Sequence, residues 1–243
     1  MSSNYRSILN VQGSSFASTN SFTFDGNNDY IDCGHISDIQ NASKVTISFW
    51  AKIEDTSFRV LLGQNLVAGT DIFQLYYWGA DTLYIWIKSG NVGTVSYVNT
   101  SAIVSIGQWY NFTLVFDGTQ SNDDRCKLYL NGGNDIITNR GTMPTTFTNS
   151  SEPFLIGRGL NGYFDGNIDE VAVWNTDQSA NVSAIGSTIP TDLTSYNPIS
   201  WWQMGEQANY TGREWVLTDQ GSGGYNGFSD TLPPSALSTD VPT

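Results

Sequence analysis

Two adjacent carboxylates, Asp169 and Glu170, are the residues whose types and spacing most directly suggest chemistry. They precede an apolar run, residues 171–174, and follow a glycine-rich stretch between residues 154 and 166. A carboxylate that enters a covered strand needs hydrogen-bond donors or a cation as its partner. The sequence therefore predicts that this stretch forms either a calcium-binding or a hydrogen-bonding corner of the fold.

The element that must position these carboxylates is a strand over residues 165–174. Neighbouring side chains on a regular strand point to opposite faces. We therefore expect Asp169 and Glu170 on opposite faces, within the two sets Asn167, Asp169, Val171, Val173 and Ile168, Glu170, Ala172, Trp174. Neither set is wholly apolar, so both faces should be covered and the strand should run through the middle of a β-sandwich.

A second candidate site consists of four aromatic residues, Tyr76, Trp78, Tyr84 and Trp86. The alternation in residues 71–78 and 82–88 predicts a hairpin whose apolar stripes are Phe73, Leu75, Tyr77 and Leu83, Ile85, Ile87. The four aromatic side chains would then share the opposite face. They could stack on sugar rings, with Gln74 and Lys88 as hydrogen-bonding groups. A second layer of strands or a neighbouring subunit could equally cover them.

The charge and composition of the chain exclude several classes of protein. Ten Lys and Arg face 23 Asp and Glu, giving a formal charge of −13, and no basic cluster is present. A nucleic-acid partner is therefore not expected. No apolar run is long enough to span a bilayer, so we expect no membrane insertion. The first residues lack a secretory signal, which points to a mature chain or to another export route, such as virion assembly.

Short alternating runs separated by turn residues predict an all-β fold, an antiparallel sandwich of two sheets. In residues 44–53, Val45, Ile47, Phe49, Ala51 and Ile53 alternate with polar positions, which indicates a half-buried strand. We expect an N-terminal arm over residues 1–20, the sandwich over 21–186, with one or two helical turns in 176–186, and a linker and C-terminal segment over 187–243. That last segment should close the sandwich or reach a neighbour. Cys33 and Cys126 could form one bridge or remain free thiols.

Five segments occur in a characteristic order: FDGNNDYI (24–31), TISFWAK (46–52), GQWYNFTLVFDG (107–118), KLYLNG (127–132) and FDGNIDEVAVWN (164–175). Together they resemble the laminin-G-like, concanavalin-A-type jelly roll. One feature departs from that family. A segment like WWQMGE (201–206) followed by DQGSGG (219–224) opens the domain in many members, and here it comes last. With IPTDL (189–193), this C-terminal segment resembles lectin-like virion proteins of marine tailed phages.

The resemblance implies calcium at one edge of the sandwich. The matching carboxylates are Asp25, Asp29, Asp165, Asp169 and Glu170. In the alternative, the same side chains cap glycine turns and accept backbone hydrogen bonds.

Catalysis is not expected. Glycosidases on this jelly roll carry Glu-x-Asp-x-Glu on one strand, whereas positions 167 and 171 are Asn and Val. His35 is the only histidine and lies in a predicted turn, so a Ser or Cys nucleophile has no evident base.

The favoured hypothesis is a non-catalytic, lectin-like structural protein of a phage virion, in capsid decoration or a tail fibre. Its partners would be virion proteins, other copies of itself or host glycans. The alternative is a secreted, extracellular carbohydrate-binding module. A glycoside hydrolase is the least favoured.

Overall fold

A computed structural model describes residues 16–66, 69, 71–79, 81–100 and 102–243. The predicted arm over residues 1–20 therefore lies mostly outside the described residues. The strands are β1 Ser21–Asp25, β2 Ile31–Asp32, β3 Lys44–Ile53, β4 Arg59–Gly63, β5 Ile72–Tyr77, β6 Thr82–Lys88, β7 Val95–Asn99, β8 Trp109–Asp117, β9 Cys126–Leu130, β10 Leu155–Ile156, β11 Arg158–Gly159, β12 Gly162–Tyr163, β13 Asp165–Trp174, β14 Ser200–Trp202, β15 Ala208–Tyr210, β16 Trp215–Leu217, β17 Gly227–Ser229 and β18 Leu237–Ser238.

Two antiparallel sheets form a jelly-roll sandwich, as the sequence predicts. The first sheet has seven strands in the order β18-β1-β13-β3-β8-β9, with β14 also paired to β13. The second has nine strands in the order β15-β16-β17-β2-β10-β4-β5-β6-β7. Strands β11 and β12 form a separate small hairpin. Strand β13 lies between β1 and β3, so its place in the middle of a sheet is confirmed.

The core lies between the two sheets and contains the apolar stripes that the alternation predicts. Strand β3 contributes Val45, Ile47, Phe49, Ala51 and Ile53, and the β5–β6 hairpin contributes Phe73, Leu75, Tyr77, Leu83, Ile85 and Ile87. Each of these side chains is almost fully buried. Removal of this apolar area from water supplies the main driving force for closing the sandwich.

Strand β3 is covered on its other face as well, which corrects the expectation of a half-buried strand. Thr46, Ser48 and Trp50 on that face are also buried. Their polar atoms find partners locally: Thr46 Oγ1 donates to the carbonyl of Thr176, and Ser48 Oγ lies 3.0 Å from Thr113 Oγ1. Alternation in a sequence shows which positions are polar, but it does not show whether they are buried. The small hydroxyl groups of Thr46 and Ser48 can be buried because their hydrogen bonds are satisfied.

The C-terminal segment contributes strands to both sheets. Strand β14 pairs with β13 and strand β18 pairs with β1, both in the first sheet. Strands β15, β16 and β17 extend the second sheet beyond β2. The Phe154 and Trp202 rings stack with their centroids 6.1 Å apart, and the Phe22 and Trp215 rings meet edge to face at 5.0 Å.

Helical structure between residues 179 and 185 is short, as expected. A 3-10 turn, Ser179–Asn181, leads into the one-turn helix α1, Val182–Ile185. Cys33 and Cys126 are both buried and free, which resolves the question that the sequence leaves open. Within the described ranges, no helix combines the length and apolar character needed to cross a membrane.

Candidate functional site

A β-bulge at Glu170 places two consecutive carboxylates on the same side of strand β13. In the β13–β3 pairing, Asp169 lies opposite Trp50 and Ala172 lies opposite Ser48, so β13 carries one extra residue. Glu170 takes up that residue in the left-handed region, with φ +51°. The expectation that Asp169 and Glu170 point to opposite faces is therefore wrong, because the bulge shifts the alternation by one residue.

The residues around the bulge show the same shift. Ile168 belongs to the core between the sheets, and so do Val171 and Val173. Ala172 and Trp174 lie instead in a smaller cluster with Trp201 and Ile185 on the outer side of the sheet. Both carboxylates consequently lie on this outer side, which residues 16–20 and the C-terminal segment cover.

A third carboxylate, from Glu206, joins this pair. One oxygen from each of Asp169, Glu170 and Glu206 lies within 4.8 Å of the oxygens from the other two. Ser18 Oγ donates to Asp169 Oδ2 at 2.6 Å. The amide of Asn20 donates to Glu206 Oε1 at 2.9 Å, and the amide of Thr19 donates to the same oxygen. We name Asp169, Glu170 and Glu206 the carboxylate cluster.

The carboxylate cluster is deeply placed. Asp169 is fully buried and Glu170 is 3% exposed. Burial, together with the charge of Glu206, raises the pKa of Asp169 well above its ordinary value. Burial and the charge of Asp169 do the same to the pKa of Glu170. The two groups thus resist carrying full negative charge unless a proton or a cation compensates it.

The other three predicted calcium ligands lie apart from this cluster, at the start of β13. Asp25 pairs in register with Asp165, and Asp29 Oδ2 accepts a hydrogen bond from the amide of Asp25. Asp25 Oδ1 accepts from the amides of Asn27 and Asn28, as a turn-capping residue does. Arg59 Nη2 lies 3.6 Å from Asp165 Oδ2 and already supplies positive charge there.

The carboxylates that the resemblance assigns to calcium therefore lie at two separate places, which differ in how well their oxygens suit a calcium ion. In the part of the chain that the structure describes, only the carboxylate cluster brings three ionisable ligands together. It also contains buried oxygens without a hydrogen-bond partner, Glu170 Oε1 and Glu206 Oε2. The oxygens of the cluster fit the ligand preference of calcium.

The four predicted aromatic residues gather on the outer face of the second sheet. Tyr76 and Tyr84 are directly opposed in register, and their rings stack with centroids 5.4 Å apart. Trp86 lies opposite Gln74 in the same pairing. Trp78 is the most exposed of the set, at 61%. The structure thus brings these four residues onto one surface.

Two further aromatic rings extend this surface. Phe58 meets Tyr76 and Trp78 edge to face at 5.8 and 5.4 Å, and Tyr97 continues the row beside Tyr84 at 5.3 Å. We name Phe58, Tyr76, Trp78, Tyr84, Trp86 and Tyr97 the aromatic platform. Burial and the neighbouring Tyr84 raise the pKa of Tyr76 to about 12, so the Tyr76 hydroxyl retains its proton.

The β11–β12 hairpin forms a wall at one side of the aromatic platform. Its backbone approaches so closely that a Cβ at Gly162 would lie 2.5 Å from the Phe58 ring. The amide of Leu160 donates to Gln74 Oε1 at 3.0 Å, which fixes the hairpin to β5. A depression of about 380 Å³ opens between Phe58, Trp78 and Asn161, and an adjoining smaller one extends to Gln74, Tyr76, Trp86 and Leu160.

Sequence reasoning missed Glu206, Phe58, Tyr97 and Asn161. Glu206 lies in the WWQMGE segment, where one acidic residue in a polar turn gives no signal. Phe58 precedes its strand, so alternation within β4 does not include it. Tyr97 does alternate with the inward residues Ser96 and Val98, and this pattern could have identified it.

The comparison with known families identifies the family of this domain. A sequence profile described as the concanavalin A-like lectin/glucanases superfamily, of laminin G type, matches residues 25–181, which is more than half of the chain. The chain belongs to this superfamily. The match covers the five motifs except Phe24, and within this superfamily domain it includes Asp169, Glu170 and the four predicted aromatic residues. Glu206 lies beyond it. No curated protein sequence matches the chain.

Solved structures share the fold of this concanavalin A-like domain at low sequence identity. One is a protein from Bacteroides ovatus that is described as carbohydrate-binding. It is 18% identical with a TM-score of 0.62, and the aligned region covers 91% of this chain and 62% of the Bacteroides chain. The CBM40 module of the Ruminococcus gnavus IT-sialidase, bound to α2,3-sialyllactose, is 15% identical with a TM-score of 0.54, covering 69% of this chain and 96% of its own. The NanB sialidase of Streptococcus pneumoniae is 17% identical with a TM-score of 0.53, covering 82% of this chain and 33% of its own. These similarities concern the fold.

Proposed function

We propose that this domain is a non-catalytic glycan-binding module whose binding surface is the aromatic platform. The observation that carries the proposal is the exposed indole of Trp78, held against Phe58 beside a depression that ends at the exposed Asn161. Aromatic rings offer an apolar face to the C–H groups of a sugar ring, and a few polar groups around them fix its orientation.

The chemistry of the depression favours a neutral sugar. Its lining residues are Phe58, Gln74, Tyr76, Trp78, Trp86, Leu160 and Asn161, and none of these carries a charge. A sialic acid or uronic acid carboxylate would need a cationic partner or a set of N–H donors. The net charge of −13 adds a general repulsion of acidic ligands.

The carboxylates of the domain do not favour a hydrolase. Asp169 and Glu170 converge, contrary to the expectation from the sequence, but both are buried on the outer side of the first sheet. The aromatic platform lies on the second sheet. A sugar stacked on Trp78 is thus separated by the whole sandwich from these carboxylates, whereas hydrolysis requires two carboxylates flanking the scissile bond.

The test is a glycan array that contains matched neutral and sialylated glycans, probed with the whole protein and two variants. Trp78→Ala should weaken binding about tenfold, equivalent to about 1.4 kcal/mol. Phe228→Ala is the control, because Phe228 is 44% exposed and lies on β17, three strands away from β4. The control should leave binding unchanged.

Binding that is lost equally in both variants, or no binding to any glycan, would overturn the proposal. The platform would then be better explained as a contact between proteins, which sedimentation of the wild type and of Trp78→Ala would reveal as a change in oligomeric state. Strong preference for sialylated glycans would overturn the inference of a neutral ligand.

We propose further that the module acts in a phage particle, in capsid decoration or a tail fibre, with virion proteins or other copies of itself as partners. Support comes from the resemblance of residues 189–193 and the C-terminal segment to lectin-like virion proteins. Mass spectrometry of purified particles tests this placement. Recovery of the protein only from culture supernatant would favour a secreted module.

A further inference from the structure

The carboxylate cluster combines three acidic side chains without a basic partner. None of the ion pairs in the described part of the chain involves Asp169, Glu170 or Glu206. Like charges at this spacing repel one another strongly in a buried setting. Such an arrangement is stable only if the cluster binds protons or shares a cation.

The hydrogen bonds of the cluster leave one oxygen of each glutamate unused. Glu170 Oε2 accepts from Trp201 Nε1 at 2.6 Å, whereas its Oε1 has no partner, and the Glu170 side chain is only 3% exposed. Glu206 Oε1 accepts from the amides of Thr19 and Asn20, and its Oε2 is likewise buried without a partner. A buried polar atom without a partner calls for a ligand that the protein itself does not supply.

The bulge at Glu170 is the feature that allows the carboxylate cluster to form. Glu170 has φ +51°, a conformation that disfavours a side chain with a Cβ by roughly 1–2 kcal/mol. A regular strand would avoid that strain and would send the two carboxylates to opposite faces. The bulge brings both to the outer face, where Glu206 meets them.

We propose that Asp169, Glu170 and Glu206 bind one hard divalent cation of the calcium class, which fastens the C-terminal segment to the outer face of strand β13. Calcium takes six to eight oxygens at about 2.3–2.6 Å, so two oxygens on one ion are at most about 5 Å apart. The spacing of up to 4.8 Å in the cluster meets this limit. The donors are all oxygens, which disfavours zinc or copper.

Asp169 and Glu170 are among the carboxylates that the family resemblance implies, but Glu206 is not, and the implied Asp25, Asp29 and Asp165 lie apart at the edge where β13 begins. The third ligand of the proposed site, Glu206, lies in the WWQMGE segment (201–206), which opens the domain in many family members and comes last in this chain. The cation would therefore tie together elements far apart in sequence: residues 18–20, the bulge, and the turn after β14. It is also remote from the aromatic platform, so glycan binding and cation binding can fail independently.

Terbium titration of the chelator-treated whole protein, excited through tryptophan, tests the site directly, since the indole of Trp201 contacts Glu170. We expect saturable emission from one site that calcium displaces. Glu206→Gln should weaken this binding at least about tenfold. Glu214→Gln, the same change in the same segment at a residue outside the cluster, should not alter it, and Asp25→Asn should not either.

A second measurement on the wild type needs no variant. Calcium should raise the melting temperature and slow proteolysis between residues 203 and 213, and EDTA should reverse both effects. Binding that survives Glu206→Gln but is lost in Asp25→Asn would overturn the proposal in favour of the edge. No calcium binding, with a melting temperature unaffected by EDTA, would overturn it in favour of a cluster that shares protons.

Discussion

The indole Nε1 of Trp201 donates a hydrogen bond of 2.6 Å to Oε2 of Glu170. Trp201 lies on β14 and Glu170 forms the bulge of β13, and the two residues are 3% exposed each. Their contact joins the C-terminal segment to the most strained residue of the central strand. The adjacent Trp202 points the other way, into the core between the sheets.

Replacing Trp201 with Phe should destabilise the fold by about 1–3 kcal/mol, because Glu170 Oε2 would remain buried without a donor. Trp215→Phe is the matched control. Trp215 is similarly buried, at 5% exposure, but its Nε1 donates to the neutral carbonyl of Pro233 at 3.3 Å. Urea denaturation at neutral pH measures both variants. An equal loss in the two would mean that the contact with Glu170 adds no stability beyond ring packing.

Deleting residues 199–243 should cause aggregation. The deletion removes β14–β18 and uncovers apolar surface that Trp202 and Trp215 cover, including the faces of Phe154 and Phe22. Unpaired edges of β1, β2 and β13 would also be exposed. Gel filtration and dye binding to exposed apolar surface measure the effect. A shorter deletion, residues 241–243, leaves every strand intact and serves as the control. A soluble product with an unchanged melting transition would contradict this prediction.

Asp29 should make stability depend on pH. Burial and the charge of Asp25 raise the pKa of Asp29 to about 6, above the value of about 3.9 expected in the unfolded chain. The folded state therefore binds this proton more tightly, and stability falls as pH rises from about 4 to about 6. Since water screens part of the effect, we expect a loss of about 1–2 kcal/mol.

Asp29→Asn tests this pH dependence in EDTA. The amide keeps an oxygen that can accept the hydrogen bond from Asp25, so the variant should be more stable than the wild type above pH 6 and similar near pH 4. Asp123→Asn, the same change at an exposed position, should follow the wild type. Parallel stability curves for all three proteins would rule out Asp29 as the source.

Cys33 and Cys126 should be inert in the folded protein. Both thiols are free and about 1% exposed, and burial raises the pKa of Cys126 to about 12, so little reactive thiolate forms. A thiol reagent should label neither residue in the native state and both after denaturation without a reductant. Denatured protein that fails to react would show a disulfide instead.

Alternation of apolar residues was sufficient to predict the sandwich, because the two sheets bury period-two stripes such as Phe73-Leu75-Tyr77. The same alternation placed Tyr76, Trp78, Tyr84 and Trp86 on one face, since a three-residue loop keeps the hairpin in register. The mixed polarity of both faces of residues 165–174 predicted that this strand runs through the middle of the sandwich, and β13 does lie between β1 and β3.

The carboxylate cluster depended on tertiary structure. A sequence does not show where a strand takes an extra residue. The bulge at Glu170 shifts the alternation by one residue, so every later side chain of β13 points to the face opposite to the one that regular alternation from Asp169 predicts. Glu206 likewise approaches Glu170 only because β14, which precedes it, pairs with β13. The sequence thus determined which residues are apolar, aromatic or acidic, and long-range strand pairing decided which of the acidic residues meet.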